Sequence, residues 1–434
     1  MKAIPRYASL FILLLGMIGI PGMNGVAQET ITLESCLLDA RMNHPLFNHL
    51  AHTDKIAGYG ISNAKKQYLP QVSFSAQATY QSEVTKVPIE VPGFEIETLT
   101  RDQYKMTMDA SQRILDGGLT KNQVLVTRAG ADLQKAQTES SLYQIRSSIL
   151  EAYFGVLKID AQLRQLDATL ETLEAQYKKI QAAVENGVSL PSNRDVIGVE
   201  ILSVNQKRKQ LVAQRFILTE QLGLLTGKDV DPDTQLEVPV QNNPITSGPI
   251  PNRRPEVQAF QQARTLIDAK QALTNAGASP VLLAFGQAGY GKPGLNFLEN
   301  KFSPWYIAGL KLNWNLSAFY TKRNEAEINT LEALKLDDEE ASFNRNLEAR
   351  SIQYLSELEN LNSLLGDDDG IIDLRHKITM RSTAQLDNGT ITSSDYIRDV
   401  NAEAGARVAK DIHLIEINHL KHQIQNLYGN DDIK

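Results

Sequence analysis

The sequence predicts a mainly α-helical fold with membrane-type β-structure: duplicated coiled-coil helical hairpins plus four β-strands per chain, the strands contributing to a barrel shared between chains. Three observations predict it. Short landmarks recur in the same order in both halves of the chain, long stretches hold a 3.5-residue apolar period, and shorter ones alternate apolar with polar residues.

The repeat sets the frame for every element. Pro45 and Pro70 lie 25 residues apart, as do Pro255 and Pro280. Leu115 through Thr120-Lys121 recurs as Leu316 through Thr321-Lys322 at an offset of 201. Asn186-Gly187 and Leu225-Thr226-Gly227 recur as Asn388-Gly389 and Leu427-Tyr428-Gly429 at an offset of 202. The first unit then covers residues 28–229, a proline-rich linker 230–252, and the second unit 253–434. Residues 1–27 read as a secretory signal, with Lys2 and Arg6 ahead of the apolar run Leu10 to Ile20 and small residues before Gln28. That run is shorter than the ~20 residues a spanning helix needs, and no later run qualifies, so any membrane passage falls to strands.

Each unit reads as helix, strand, strand, long helix, tight turn, helix. Leu33 to Lys66 is helical in composition and Pro70 stops it. Val72, Phe74, Ala76, Ala78 and Tyr80 alternate with polar residues, as do Tyr104, Met106, Met108 and Ala110, which describes strands wetted on one side. In the second unit Tyr306, Ala308, Leu310, Leu312 and Trp314 alternate likewise, and the strand near Val281 to Gly291 is less regular. From Leu142 to Val184, apolar residues step by threes and fours, and Ile197, Val204, Leu211, Leu218 and Leu225 recur every seven, so the two stretches pair as an antiparallel coiled coil. The span Gly118 to Glu185 gives a helix of ~100 Å, matched by two shorter helices end to end.

Four strands cannot close a barrel, and an open sheet edge cannot face lipid. Two chains would supply eight strands and three would supply twelve, and a water-filled bore continuing into a helical tube favours three. Composition agrees. The 434 residues would ordinarily suggest two or three domains, but 42% hydrophobic content suits a thin-walled tube with a wet inner face. With 44 basic against 51 acidic residues, the chain has no cationic surplus for nucleic acid. The single cysteine, Cys36, excludes an internal disulfide, and no Cys/His spacing suits zinc.

On these residues the chain resembles the TolC-like outer-membrane efflux channels. The resemblance spans Glu29 to Gly429 and rests on Ile31-Thr32-Leu33-Glu34, Leu69-Pro70, Leu115-Asp116-Gly117-Gly118 and the two turn motifs. It implies a homotrimer closing a 12-stranded β-barrel in outer-membrane lipid, continued by an α-helical tunnel through the periplasm. It further implies a passive exit duct for an inner-membrane pump, reached through a periplasmic adaptor, with a type I protein-secretion duct as the variant role. Adaptor contact would fall at the hairpin tips, Gly187-Val188-Ser189 and Gly389-Thr390-Ile391, where Asn186 and Asn388 stand in place of the family's valine. The family's gate aspartates map to Asp395 and to Arg398, which neighbours Asp399. Asp395 reads equally as a helix cap after Ser393 and Ser394.

Other features read as structural. Gly286 to Lys292 has the spacing of a phosphate loop but leads into Pro293, and reads as a strand end. His419 and His422, like His49 and His52, read as solvated helix faces, and Gly366 to Gly370 as a break in the second long helix. Trp305 and Tyr306 are candidate membrane-interface anchors. A periplasmic adaptor or coiled-coil structural protein would need only one hairpin flanked by compact β-domains. A secreted enzyme lacks support from any nucleophile motif, metal constellation or cofactor loop.

Overall fold

In the computed structural model the described residues are 31–85, 98–239 and 252–429, so the signal segment and most of the linker lie outside them. The elements are α1 (Leu33–Asn43), α2 (Phe47–Lys65), β1 (Gln71–Tyr80), β2 (Asp102–Leu115), α3 (Leu119–Glu185) and α4 (Pro191–Thr226). The second unit follows as α5 (Pro255–Gly277), β3 (Val281–Lys292), β4 (Ser303–Asn313), α6 (Ala318–Asp387) and α7 (Ser393–Tyr428). The duplicated order of helix, hairpin, long helix and returning helix is present in full.

The long helices carry the fold. The apolar stripe of α3 becomes the core, with Leu173 and Ile180 packed against Ile197 and Val204 of α4 near the tip and Ile149 packed in the same cluster as Leu222 further up. Each such side chain, fully buried, stabilises by about 1.5–3 kcal/mol. Outside the apolar seam Arg215 grips Asp160 at 2.6 Å and Arg208 grips Asp167 at 2.7 Å, fixing the register of the hairpin.

Short helices are stacked by a repeated device. Gly227 and Gly429, at φ 67° and 68°, end α4 and α7 in the left-handed region that glycine alone enters without strain. Backbone then approaches closely: an added Cβ would lie 2.7 Å from Asn43 at the first and 2.7 Å from the Arg253 backbone at the second. Asn43 Nδ2 donates to Thr226 O at 2.8 Å and Arg253 N donates to Tyr428 O at 2.8 Å, so α2 continues the line of α4 and α5 that of α7. A mid-height core of Leu33, Cys36, Leu37, Tyr153, Phe154 and Leu222 packs around the first junction. Tyr153 there donates to the carbonyls of Ile31 and Glu237, pinning the linker's start.

Two helical expectations need correction. Leu33 to Lys66 is not one helix: α1 ends at Asn43 and α2 begins at Phe47, because Pro45 between them has no N–H and disfavours a helical preceding residue. Conversely, Gly366 to Gly370 does not break the second long helix, and α6 runs through it for 70 residues. Two glycines cost about 1 kcal/mol each in a helix. Here the partner helix offsets that: Asp368 is buried against His413 at 2.8 Å, and Asp369 meets Lys410 at 2.5 Å.

At one end of the rods β1 to β4 form a single antiparallel sheet in the order β1-β2-β3-β4, leaving one edge of β1 and one of β4 unpaired. The step from β2 into α3 turns on Gly117 and Gly118, at φ 62° and 85°. A Cβ on Gly117 would lie 2.2 Å from that of Ser279. Gly117→Ala should therefore destabilise by at least the ~1–3 kcal/mol of left-handed strain. Gly58→Ala, mid-helix with nothing within 4 Å of an added Cβ, should stabilise by roughly 0.5–1 kcal/mol. Urea unfolding of the two variants should move in opposite directions.

Candidate functional sites: sheet faces and hairpin tips

Register divides the sheet into two chemically distinct faces. Phe74, Met108, Ala288 and Tyr306 share one cross-strand row, and Ala76, Met106, Tyr290 and Pro304 the next, on an apolar face that is largely exposed. Ser75, Thr107, Gly289 and Trp305 share a row on the opposite, polar face, with Ser73, Asp109, Gln287 and Ile307 beside it. Exposed apolar side chains in this number, on one face only, suit lipid contact. Where the apolar face ends, aromatics gather. Phe302 stacks on Tyr290 at 5.7 Å and meets Tyr104 at 6.0 Å at one end, while Trp314 meets Phe319 edge-on at 6.4 Å at the other. The interval from Tyr104 to Leu115 is ~37 Å of strand, roughly 28 Å of height at a ~40° tilt, close to the ~25 Å apolar band of membrane barrels.

This geometry splits the proposed anchor pair. Neighbours in a strand face opposite ways, so Trp305 and Tyr306 cannot both meet lipid. Tyr306 lies on the apolar face, 82% exposed. Trp305 lies on the polar face with Lys105 Nζ 5.3 Å from its ring, and its indole crosses Gly289, where an added Cβ would sit 2.3 Å from Cζ2. Trp314 continues the outward alternation after Leu312, and its Nε1 donates to Ala278 O at 3.0 Å.

The two tips have the same local chemistry. After α3, Gly187 takes φ 71° and Val188 N donates to Ala183 O at 2.8 Å; after α6, Gly389 takes φ 69° and Thr390 N donates to Gln385 O at 2.9 Å. Asn186 and Asn388 each send Nδ2 to a carbonyl four residues back, at 2.8 Å in both, a second bond to an acceptor that the same residue's N–H reaches at 3.1 Å. Gly187, Val188, Gly389 and Thr390 are exposed, with Val188 at 82%. Ser189 and Ile391 are half-buried, Ile391 against the core of Leu386, Tyr396 and Ile397 that joins the two hairpins.

Asp395 is a cap. It forms a capping box with Thr392, whose hydroxyl bonds Asp395 Oδ2 at 2.7 Å and accepts from Asp395 N at 3.2 Å. Arg398 Nη1 lies 3.3 Å from its other oxygen. Asp399 is turned inward and accepts from Ser382 Oγ of the same hairpin, which leaves Arg398, with its side chain 72% exposed, as the outermost of the three. The buried pair of histidines also departs from expectation. His419 is 6% exposed and stacks on Phe154 at 4.7 Å, and burial pushes both His419 and His422 down to about 4, so they are neutral packing groups at pH 7. The P-loop-like run Gly286 to Lys292 lies wholly within β3.

Comparison with known proteins agrees with this architecture. The family model described as "Outer membrane efflux protein" matches residues 37–226. No curated protein matches the chain by sequence. Among solved structures, the outer-membrane channel OprN is similar at TM-score 0.70 and 14% identity, covering 93% of this chain and 91% of that one. The outer membrane protein VceC of Vibrio cholerae is similar at TM-score 0.68 and 13% identity, covering 92% and 96%. The MtrE outer membrane channel of Neisseria gonorrhoeae, solved in an open state, is similar at TM-score 0.64 and 14% identity, covering 92% and 89%.

The Asp395 cap has a pH signature. Hydrogen bonds from Thr392, then the Arg398 charge, hold its carboxyl below the usual range, so its stabilisation is complete above the ordinary carboxylate pKa and is lost as pH falls through the lowered one. The protection factors of the amides at residues 393–396, taken against intrinsic exchange at each pH, should fall at acid pH in the wild type and lose that dependence in Asp395→Asn. Thr392→Ala should raise exchange there at neutral pH, with a stability cost of ~1 kcal/mol.

Proposed function

We propose that the chain is a TolC-like outer-membrane efflux channel, the passive exit duct of a tripartite export system working as a homotrimer, a reading supported by the family match over residues 37–226 and by the fold of the whole. The two unpaired sheet edges are the observation that carries the reading. Set in lipid, the free edge of β1 needs a strand to pair with, and β4 of a second copy supplies one. Three copies would close twelve strands around a wet bore whose wall is the polar face.

The helices support the same closure. Below the sheet each chain is a curved wall in which α6 packs on α7, α7 on α3 and α3 on α4, so α6 and α4 are its outer edges. Both edges carry exposed apolar side chains: Ile371, Leu374 and Ile378 on α6, and Leu202, Phe216 and Leu224 on α4. Such an interface is head-to-tail, and a ring is how it closes. We place the barrel in the outer membrane and the helical tunnel in the periplasm, with signal residues 1–27 directing export and 230–252 linking the units.

The exposed tip residues Gly187, Val188, Gly389 and Thr390 are the proposed adaptor contact, with Ser189 and Ile391 supporting them from beneath. An inner-membrane pump would load the duct through that adaptor. Asp395, Arg398 and Asp399 form the proposed periplasmic gate, with the Asp395 to Arg398 pair breaking as α7 moves. The residues point to transport and to no catalytic step.

Three outcomes are expected. The protein should fractionate with outer membranes and need detergent for extraction as a trimer; a soluble monomer would rule the duct out. The bonds from Asn401 to Glu200 at 2.8 Å and from His376 to Glu403 at 3.0 Å set Leu202 and Ile378 at similar heights. Cysteines at both, treated with a short bismaleimide, should link chains into a trimer ladder. Arg398→Gln should change single-channel conductance in bilayers, and an unchanged trace would move the gate elsewhere.

A further inference from the structure

The polar face of the sheet is charged in the opposite sense to the chain. Overall the protein carries a net −7. Yet the polar-face positions fixed by strand pairing hold Lys105, Arg113 and Lys311 against one acid, Asp109. Arg113 and Lys311 flank Leu283 in a single cross-strand row, two strand spacings or ~10 Å apart. Among the described residues no carboxylate pairs with any of the three. Lys105 lies over the Trp305 ring, Arg113 donates to the neutral Gln67 Oε1 at 2.9 Å, and Lys311 is exposed.

The nearby acids are already engaged. Asp109 accepts hydrogen bonds from Thr107 at 3.1 Å and from Gln287, the far end of a chain that begins with Ser75 bonded to Thr107 at 2.7 Å. Asp116, next along from Arg113, is buried and accepts from Gly118 N at 3.0 Å, Thr120 N at 2.9 Å and the Tyr68 hydroxyl at 2.9 Å. The surplus of two positive charges per chain is therefore left on the wall. In a twelve-stranded barrel the axis is on the order of 12 Å from the backbone, within about a Debye length of the side-chain tips. Like charges lining a low-dielectric bore focus their field along it and concentrate the opposite ion.

We propose that the barrel lumen is an anion-concentrating vestibule held by Lys105, Arg113 and Lys311, and that the duct favours small anionic cargo bearing carboxylate or phosphate groups. This rests on the trimeric duct reading above. An anion that has passed the tunnel finds its most favourable region at the exit.

The chain has two tryptophans, and only Trp305 lies on the polar face. In Trp314→Phe protein reconstituted as the trimer in lipid nanodiscs, Trp305 fluorescence then reports ions in the lumen without any current flowing. At low ionic strength iodide should quench it several-fold more strongly than caesium, each scaled to free tryptophan amide. Sodium tripolyphosphate should relieve iodide quenching more than sodium chloride of equal ionic strength. The triple variant K105Q/R113Q/K311Q should bring the iodide and caesium values together. A trimer in which the triple variant and its parent give the same ratio overturns the vestibule while leaving the duct standing. A particle that is not a trimer overturns both.

Discussion

An unpaired strand edge in hydrocarbon is the constraint on which the rest of this structure depends. A backbone N–H or C=O without a partner costs several kcal/mol in the bilayer core, and β1 and β4 each present a row of them. The described residues of a single chain form four strands, too few to bend round and satisfy themselves. Everything below the sheet is arranged compatibly with closure between copies. The helical wall ends in two apolar edges, α4 and α6, and the apolar sheet face is bounded above and below by aromatic side chains. The proposed closure fits the sheet's division into faces, since a shared barrel would place one face in lipid and the other in water.

The duplication lets one set of local solutions serve twice. Gly227 and Gly429 end their helices at φ 67° and 68° and let a second helix stack on the first; Gly187 and Gly389 turn the tips at φ 71° and 69°. Asn186 and Asn388 each close the preceding helix with the same side-chain bond. These positions are conformational necessities first. At the tips, Gly187 and Gly389 are exposed as well. Asp395 follows the same logic, being committed to the start of α7 before any part it plays in a gate.

What was legible in the sequence was whatever repeated with a fixed period. The strands were readable because their two faces meet different solvents, and α3 with α4 because a heptad seam leaves its mark every three or four residues. Pro45 carried the signal of the break between α1 and α2, yet a long helical composition masked it. The continuity of α6 through Gly366 and Gly370 was not legible, because it depends on His413 and Lys410 of another helix. Nor was the burial of His419, whose stacking partner Phe154 lies in the other repeat. At the site level, the tips and the first turn of α7 were found by motif. The split of Trp305 from Tyr306 and the outward position of Trp314 were already implied by alternation. The cationic wall was not, since β2 and β4 contribute to it and meet only through register.

Closure of the sheet between copies is the central claim, and amide hydrogen exchange in the detergent-extracted protein reads it most directly. The outward-facing amides of β1 and β4 should be protected as strongly as those of β2 and β3, because each edge has a strand beside it. Rapid exchange along those two edges, with β2 and β3 protected, would mean that the sheet stays open and would contradict the account.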